Sequence, residues 1–376
     1  MIGSRRIISS IICLLNGRDM KINILYTLID RPWGGANQFL KALRKEFESM
    51  GVYETDPLRA DVVIVNSHHF KFGKKPFVIP DILREKTIVH RIDGPSILAT
   101  GSFREIDRVI YYFNDKFAHG IVFQSSWSRQ KSLENGIRQK EYEAVIPNAV
   151  DNAVFFPKSS DVQPEPGNPI RIVATSWSTN PRKGFDIYRY LDNHLDFSRF
   201  SVTFIGNSPI QFTNIRHIPS LNSTLLAEKL REHDIYLTAS RNDPCSNSLI
   251  EALHCGLPAV ALRSGGHPEL VGDSGVTFEG EHDVITAIEH VSSNLDAFCI
   301  TDSLEDISEI ADRYIDFCKT VHENKSGNNT SALDFTVFLW LYNKMVYTEV
   351  LRSRVNQVKS ISRLIVKKMF GKKTSD

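Results

Sequence analysis

Short apolar runs alternate with helix-patterned segments along this chain, and the alternation occurs twice. In the first half the runs are residues 22–28, 62–66, 87–91 and 120–124, separated by helical patterns such as 36–50 and 103–117. In the second half they are 171–175, 201–205, 235–239, 259–262 and 276–278, with helical patterns near 184–194, 223–232, 246–255 and 283–292. Strands that alternate with helices build parallel, doubly wound sheets, because each parallel connection needs a crossover. Two such series imply an α/β chain with two sheets and a cleft between them. Pro157, Pro164, Pro166, Gly167 and Pro169 cluster between the halves and mark the boundary.

Length agrees: 376 residues fit two domains, each large enough for its own core. The chain divides into an N-terminal extension (1–19), a first domain (20–156), a second (157–302), a return helix (303–324) and a tail (325–376). Lys and Arg number 45 against 44 Asp and Glu, so nothing in the overall charge points to a nucleic-acid partner. Cys13, Cys245, Cys255, Cys299 and Cys318 lack CxxC or metal-ligand spacing, which suits free thiols in a reducing cytosol. Arg5 and Arg6 precede an apolar stretch at 7–15, about half of the ~20 residues that a membrane helix needs. The segment from Met20 to Tyr26 reads as a natural start for the first strand, so residues 1–19 are set apart from the fold.

The chemistry concentrates between Asp243 and Glu269. Asp243 and Glu251 flank Pro244 and the polar triplet Ser246, Asn247 and Ser248, whose side chains suit a helix start. A helix N-terminus offers free N–H groups and a positive dipole end to a diphosphate or a sugar oxygen. Glu251, one to two turns in, faces the same ligand and can accept from a ribose diol. Gly256 and Pro258 end the helix, residues 259–262 form a short buried strand, and Ser264, Gly265, Gly266, His267, Pro268 and Glu269 make a second turn.

This run resembles the donor-binding signature of the family 4 glycosyltransferases, also called glycosyl transferases group 1. The family pattern is an acid, seven residues, Glu, then Ala-x-x-x-Gly-x-Pro-Val and Gly-Gly-x-x-Glu. The chain departs from it in having Asp243 where the family more often has Glu, and in Cys245. The resemblance, which covers roughly residues 20 to 322, implies the GT-B fold of two Rossmann-like domains, the first for the acceptor and the second for a nucleoside diphosphate sugar. It also implies retaining transfer without a metal; no Asp-x-Asp motif sits at a strand end.

Other segments extend the likeness. Gly34 and Gly35 follow the first strand and open a helix, resembling a first-lobe Gly-Gly-Ala loop beside the donor phosphates. His90, Arg91 and Asp93 lie at another strand end; the resemblance implies that His90 contacts the transferred sugar, with Asp93 and Arg91 on the acceptor, while a buried histidine and a plain ion pair are the alternative. His68 and His69 end a further strand, without spacing for a metal site. Arg182 and Lys183 precede Gly184 at a helix start, an unfavourable place for cations unless an anion binds there. The family's earlier Arg is missing, replaced around Ser176 to Ser178, and Arg182 is its expected substitute. Pro147 to Asp151 reads as a structural turn leading to the interdomain connection. Glu269 is open to two readings, bonding backbone amides or sugar.

Lys183, Arg182, Asp243 and His90 are therefore the expected catalytic residues, with Gly34, Gly35, Ser246, Asn247, Ser248, Glu251 and Glu269 on the donor. The acceptor is expected to be a saccharide or a lipid-linked saccharide. Residues 335–373 begin aromatic and end basic, with Val355, Val358, Ile361, Leu364, Ile365 and Met369 at helical spacing. They describe a helix able to lie on an anionic membrane surface, or one packed on the protein with a solvated basic face. The expected location is cytoplasmic, on the inner face of the membrane. The rival readings are a nucleotide-sugar epimerase or phosphorylase on the same fold, and a non-catalytic sugar-binding scaffold.

Overall fold

Ile22–Leu25 (β1), Val62–Asn66 (β2), Thr87–Ile92 (β3), Gly120–Phe123 (β4) and Tyr142–Val145 (β5) form a parallel five-stranded sheet in that spatial order. This is a computed structural model, and it describes residues 20–29, 35–70, 79–101, 104–157, 167–298, 304–327 and 330–370. Gly34, Cys13, Cys299, the N-terminal extension and residues 158–166 of the connection lie outside the described residues.

Strands β2, β3 and β4 are buried along their whole length, as apolar runs covered on both faces must be. Helix α1 (Gly35–Ser49) packs Phe39, Leu40, Leu43 and Phe47 on one face. Helices α2 (Ile79–Glu85), α3 (Ser96–Thr100), α4 (Arg104–Phe117) and α5 (Ser126–Glu134) follow, and α2 and α4 cover the other face. Tyr53 makes a parallel bridge to Ile22 on the outer side of β1. The Ile22 N–H donates to the Val52 carbonyl and the Glu54 N–H to the Ile22 carbonyl, both at 2.9 Å. The chain thus crosses from β1 through α1 to one side and then resumes at β2 on the other. The named strands of this sheet stand side by side in chain order.

The second sheet holds β6 (Ile170–Ser176), β7 (Phe200–Gly206), β8 (Arg216–Ile218), β9 (Ile235–Thr238), β10 (Ala259–Leu262) and β11 (Gly275–Phe278), in the order β11-β10-β9-β6-β7-β8. All its pairs are parallel. Helices α6 (Phe185–His194), α7 (Ser223–Arg231), α8 (Asn247–His254), α9 (His267–Val271) and α10 (Val284–Ser292) cover it. Here the winding reverses between β6 and β9, so the loops after those strands border the natural ligand crevice.

Helix α11 (Ile307–Asn324) returns to the first lobe and buries Ile310, Tyr314, Cys318 and Val321 beside α1. A reciprocal capping box starts it: the Asp306 carboxylate accepts from the Glu309 N–H at 2.8 Å, and the Glu309 carboxylate accepts from the Asp306 N–H at 2.9 Å. Helix α12 (Ala332–Phe370) lies against α4. The aromatic start of the tail splits between two faces. Phe338 and Met345 are buried with Phe113 and Phe117, and the Tyr342 hydroxyl donates to the Phe70 carbonyl at 3.1 Å, whereas Trp340 and Tyr347 are exposed. The backbone is helical to Phe370, but the side chains of residues 355–370, on which the expected amphipathic spacing falls, lie outside the described ones. Among the described residues no helix is long and apolar enough to cross a membrane.

Candidate functional site

A cavity of about 530 Å³ opens between the lobes at the carboxyl ends of β6 and β9. Its second-lobe wall is built by Thr175 to Ser178 after β6, by Lys183, and by Asp243 to Ser248 with Glu251 after β9. Gly35, Gln38, Lys41, Asp93, Gln124 and Asn148 face them from the first lobe. Gly35 lies directly against Asn247 of the second lobe. A Cβ there would fall 2.0 Å from the Asn247 side-chain nitrogen, so any other residue would displace the Asn247 side chain from its bond to Asn148 or push α1 away from α8.

Lys183 Nζ lies 3.1 Å from Asp243 Oδ2. Burial alone would raise the Asp243 pKa, but the charges of Lys183 and His267 and the Lys183 hydrogen bond hold it below the ordinary value. Backbone packing fixes its position. Gly265, at φ +67, would place a Cβ 2.1 Å from the Asp243 carbonyl, and the Gly266 N–H donates to that carbonyl at 2.9 Å. Asn242 just before it is left-handed at φ 54, with its N–H on Ser264 Oγ at 2.9 Å and its side-chain amide on the Leu98 carbonyl across the cleft at 3.2 Å. Backbone held this way without a glycine costs on the order of 1–3 kcal/mol and recurs at functional sites.

Helix α8 begins at Asn247 with Ser246 in the N-cap position, yet no side chain caps it. The expected capping by Ser246 is therefore absent: Ser246 Oγ instead sits 3.2 Å from Ser248 Oγ. Ser246, Asn247 and Ser248 line the cavity, which puts the positive end of the helix dipole at its wall. Glu251, one turn further on, is pushed up to about 8 by burial in the same wall. Cys245 is buried; its thiol accepts from the Asn148 N–H at 3.4 Å, and burial drives its pKa up to about 12, so it is an inert wall residue.

Four expected site residues sit elsewhere than anticipated. His90 does not reach the cavity: its ring is fully buried between Phe70 and Phe113, and its Nε2–H donates to the Ser67 carbonyl at 3.0 Å. Burial lowers it to about 4. Arg91 is fully buried as well, because the side chain of a central strand has nowhere else to go. It donates to Asn66, to Asp93 at 2.9 Å and to Asn148 at 2.5 Å, with its guanidinium 4.8 Å from the Phe39 ring centre. Arg182 is not among the lining residues; its guanidinium lies close enough to Gly101 that a Cβ there would be 3.3 Å from Nη2. Glu269 takes the backbone-amide reading. Its carboxylate accepts from the Ser126 and Trp127 N–H groups at 2.7 and 2.8 Å, capping α5 of the opposite lobe.

Asp93, by contrast, lines the cavity, held by Arg91 and by the Gln124 side-chain amide. Asn148, read from sequence as part of a turn, proves to be the hub between the lobes. It accepts from Arg91 and donates to Gln124 Oε1 at 3.1 Å and to Asn247 Oδ1 at 2.8 Å. Trp177, 44% exposed, stands in the stretch where the resemblance leads one to expect an arginine. Among the described residues, the cations lining the cavity are Lys41 and Lys183. No sequence signal singled out Lys41 or Gln124, and Asn148 reads from sequence only as part of a structural turn, since each is one polar residue whose importance appears only when the lobes meet.

Residues 201–294 match the family model described as Glycosyl transferases group 1. Among solved structures, the chain is similar to Anabaena HepE in complex with UDP-glucose, at a TM-score of 0.57 and 16% identity over 81% of this chain and 97% of that one. It is also similar to sucrose-phosphate synthase from Thermosynechococcus elongatus, at 0.56 and 12% identity over 89% and 100%. Uncharacterized protein 356 of Sulfolobus islandicus rod-shaped virus 1 is 22% identical over 319 residues, covering 77% of this chain and 87% of its own. The architecture is GT-B.

Proposed function

We propose, for a GT-B chain in whose second lobe residues 201–294 match the model of the glycosyl transferases group 1, that it moves a sugar from a nucleoside diphosphate sugar to a saccharide or lipid-linked saccharide. The transfer retains the anomeric configuration and needs no metal ion, in polysaccharide or glycoconjugate biosynthesis. The observation that carries this reading is the convergence of Lys183, Asp243, Glu251 and the uncapped start of α8 on one cavity at the β6/β9 reversal.

The donor diphosphate lies against Lys183 and the first-turn N–H groups of α8, and the ribose diol bonds Glu251. As the bond from the sugar C1 to the diphosphate oxygen breaks and the bond to the acceptor oxygen forms, charge grows on the diphosphate, whose departing oxygen takes the acceptor hydroxyl proton. Lys183 stabilises it there, and Asp243, released from Lys183, takes a sugar hydroxyl. Asp93 faces the acceptor side. The enzyme works in the cytoplasm, with α12 resting on the anionic inner face of a membrane.

The test is calorimetric binding of UDP, GDP, dTDP and ADP sugars with EDTA present, beginning with UDP-glucose, the ligand of the HepE complex. One donor should bind; Lys183→Ala should weaken it by at least about tenfold, the loss of one hydrogen bond involving a charged group, and Glu251→Ala by several-fold, the loss of a hydrogen bond to a carboxyl that burial keeps protonated near pH 7. Absence of binding by every donor overturns the reading.

A further inference from the structure

A nucleoside diphosphate sugar carries a negative charge on each phosphate, and the second lobe offers it little positive charge in return. Among the described residues that line the main cavity, the cations are Lys41 and Lys183, and the carboxyl groups are Asp93, Asp243 and Glu251. Lys183 is matched by Asp243 at 3.1 Å. Burial works against the Asp243 charge, but the charges of Lys183 and His267 keep that carboxyl ionised near pH 7. Glu251, pushed up to about 8 by burial, is mostly protonated there and adds no charge. Trp177 stands in the stretch where an arginine is expected, and Arg182 is turned to Gly101 and is not among the lining residues. The second lobe therefore meets a diphosphate with one lysine that a carboxylate already neutralises. The other cation of the wall belongs to the first lobe.

Helix α1 places Lys41 there. Gln38, Lys41, Ala42 and Lys45 are spaced as i, i+3, i+4 and i+7 and share one face of the helix. All four line a smaller cavity of about 200 Å³ whose wall also includes Ser223, Asn247 and Glu251, so this face looks across the cleft at the second lobe. Gln38 and Lys41 line the main cavity as well. Lys45, one turn further on, lines only the smaller one, and its ammonium lies 2.7 Å from Asp151 Oδ2. Helical side chains lean back toward the start of their helix. For Lys41 that start is Gly35, the residue against Asn247 at the beginning of α8. The six positions from Gly35 to Lys41 rise about 9 Å, and the backward lean and four-carbon stem of a lysine cover much of that. Lys41 thus approaches the start of α8 from the first lobe, facing the cavity that Lys183 lines from the second.

We infer that Lys41 is the second cation on the donor diphosphate, so that the leaving group is held between one lysine of each lobe. Such a role for Lys41 presupposes the transferase reading of the cavity and deepens it. The two bases that the resemblance leads one to expect on the second lobe are here divided between the lobes. The bonds made and broken and the path of the acceptor proton are those given above; Lys41 donates hydrogen bonds to phosphate oxygens and keeps its protons. Because Lys41 stands on the first lobe, the growing charge on the diphosphate is fully met only while the lobes are together, which ties departure of the leaving group to closure.

The test uses the full-length protein, with calorimetric binding of UDP, GDP, dTDP and ADP and ligand-observed NMR of the matching nucleosides. The diphosphate that binds the native protein should bind Lys41→Met at least about tenfold more weakly, the loss of a hydrogen bond between charged groups, while its nucleoside binds both proteins alike. Lys41→Arg, which keeps the charge, should stay within about threefold of native. Lys45→Met, which removes only an exposed ion pair one turn away, should also stay within about threefold. The inference is overturned by a Lys41→Met chain that binds the diphosphate as the native protein does, by a loss that extends equally to the nucleoside, or by a loss that Lys41→Arg shares. Native protein that binds none of the four diphosphates overturns the transferase reading, and the role of Lys41 with it. If the native protein binds one of them and Lys41→Met binds it equally well, Lys41 alone is removed from the site.

Discussion

At the scale of single residues, two carboxyl groups a few residues apart are driven in opposite directions. Lys183 and His267 overcome the effect of burial on Asp243, whereas Glu251 has burial alone and rises from 4.5 to about 8. Between those two values the unfolded chain releases the Glu251 proton while the folded chain keeps it. Stability from this group is therefore complete below pH 4.5 and declines until the pH passes about 8, where the folded protein carries the buried charge. Glu251→Gln, of the same shape and never charged, should melt at or below the native temperature near pH 4.5 and a few degrees above it past pH 8. Calorimetric melting across that range checks it; a difference that does not vary with pH rules the mechanism out. Asp243 and Glu251 were legible in sequence because one loop and one helix start fix their spacing, and Lys183 because it stands before a glycine at another helix start. His90, Arg91, Arg182 and Glu269 were not, because their neighbours come from other segments. His90 sits on a strand whose two faces are both covered, so a position near its carboxyl end still points into the core.

At the scale of elements, the strongly apolar segments were legible and the weakly patterned ones were not. Residues 259–262 form β10 as the run predicts, and α1, α4, α8 and α11 lie within a few residues of their expected ranges. Strand β5 is half-buried throughout and β8 is mostly exposed, so neither shows an apolar run. Helix α5 has one weak face, with only Ser128 and Ser132 buried, and nothing in its periodicity announces it. Its start is instead held from outside: Ser125 Oγ accepts from the Ser128 N–H at 3.0 Å, while Glu269 of the other lobe takes the Ser126 and Trp127 N–H groups. A carboxylate on a helix N-terminus gains from the dipole as well as from two charge-assisted bonds, about 1–2 kcal/mol together at an exposed position. That contribution exists only while the lobes are closed. Glu269→Ala should lower kcat/KM by roughly fivefold to thirtyfold and leave the melting temperature of the second lobe within about a degree of native. Small-angle scattering should show the variant more open without ligand, and a scattering profile identical to the native one would mean that the contact does not set closure.

For the whole molecule, the question is what holds the first lobe in place while it works. Helix α12 extends about 58 Å at 1.5 Å per residue, and one of its faces is fastened to α4 through Phe338, Tyr342 and Met345. Leu333, Trp340 and Tyr347 are 70%, 60% and 65% exposed and follow each other at seven-residue intervals, so they form one stripe that the protein leaves uncovered. After Glu349, Arg352, Arg354, Lys359, Arg363, Lys367, Lys368, Lys372 and Lys373 follow with no further acid before Asp376, in a chain whose net charge is only +1. Each base near an anionic leaflet contributes about 1 kcal/mol, and a tryptophan and a tyrosine suit the headgroup level. The full chain should therefore sediment with phosphatidylcholine vesicles that contain phosphatidylglycerol, and not with phosphatidylcholine alone. Raising the salt should release it, because screening acts on the basic part of the contact. Trp340→Ser with Tyr347→Ser should weaken the salt-resistant remainder about tenfold, and Lys367→Glu with Lys368→Glu should weaken the salt-sensitive part by a similar factor. If native and variant chains all stay in the supernatant, α12 is a packed helix with a solvated basic face. If the pattern holds, the same helix that is bonded to Phe70, beside His68 and His69, is the one seated on lipid, and an acceptor carried by a lipid would reach the cleft from the first-lobe side.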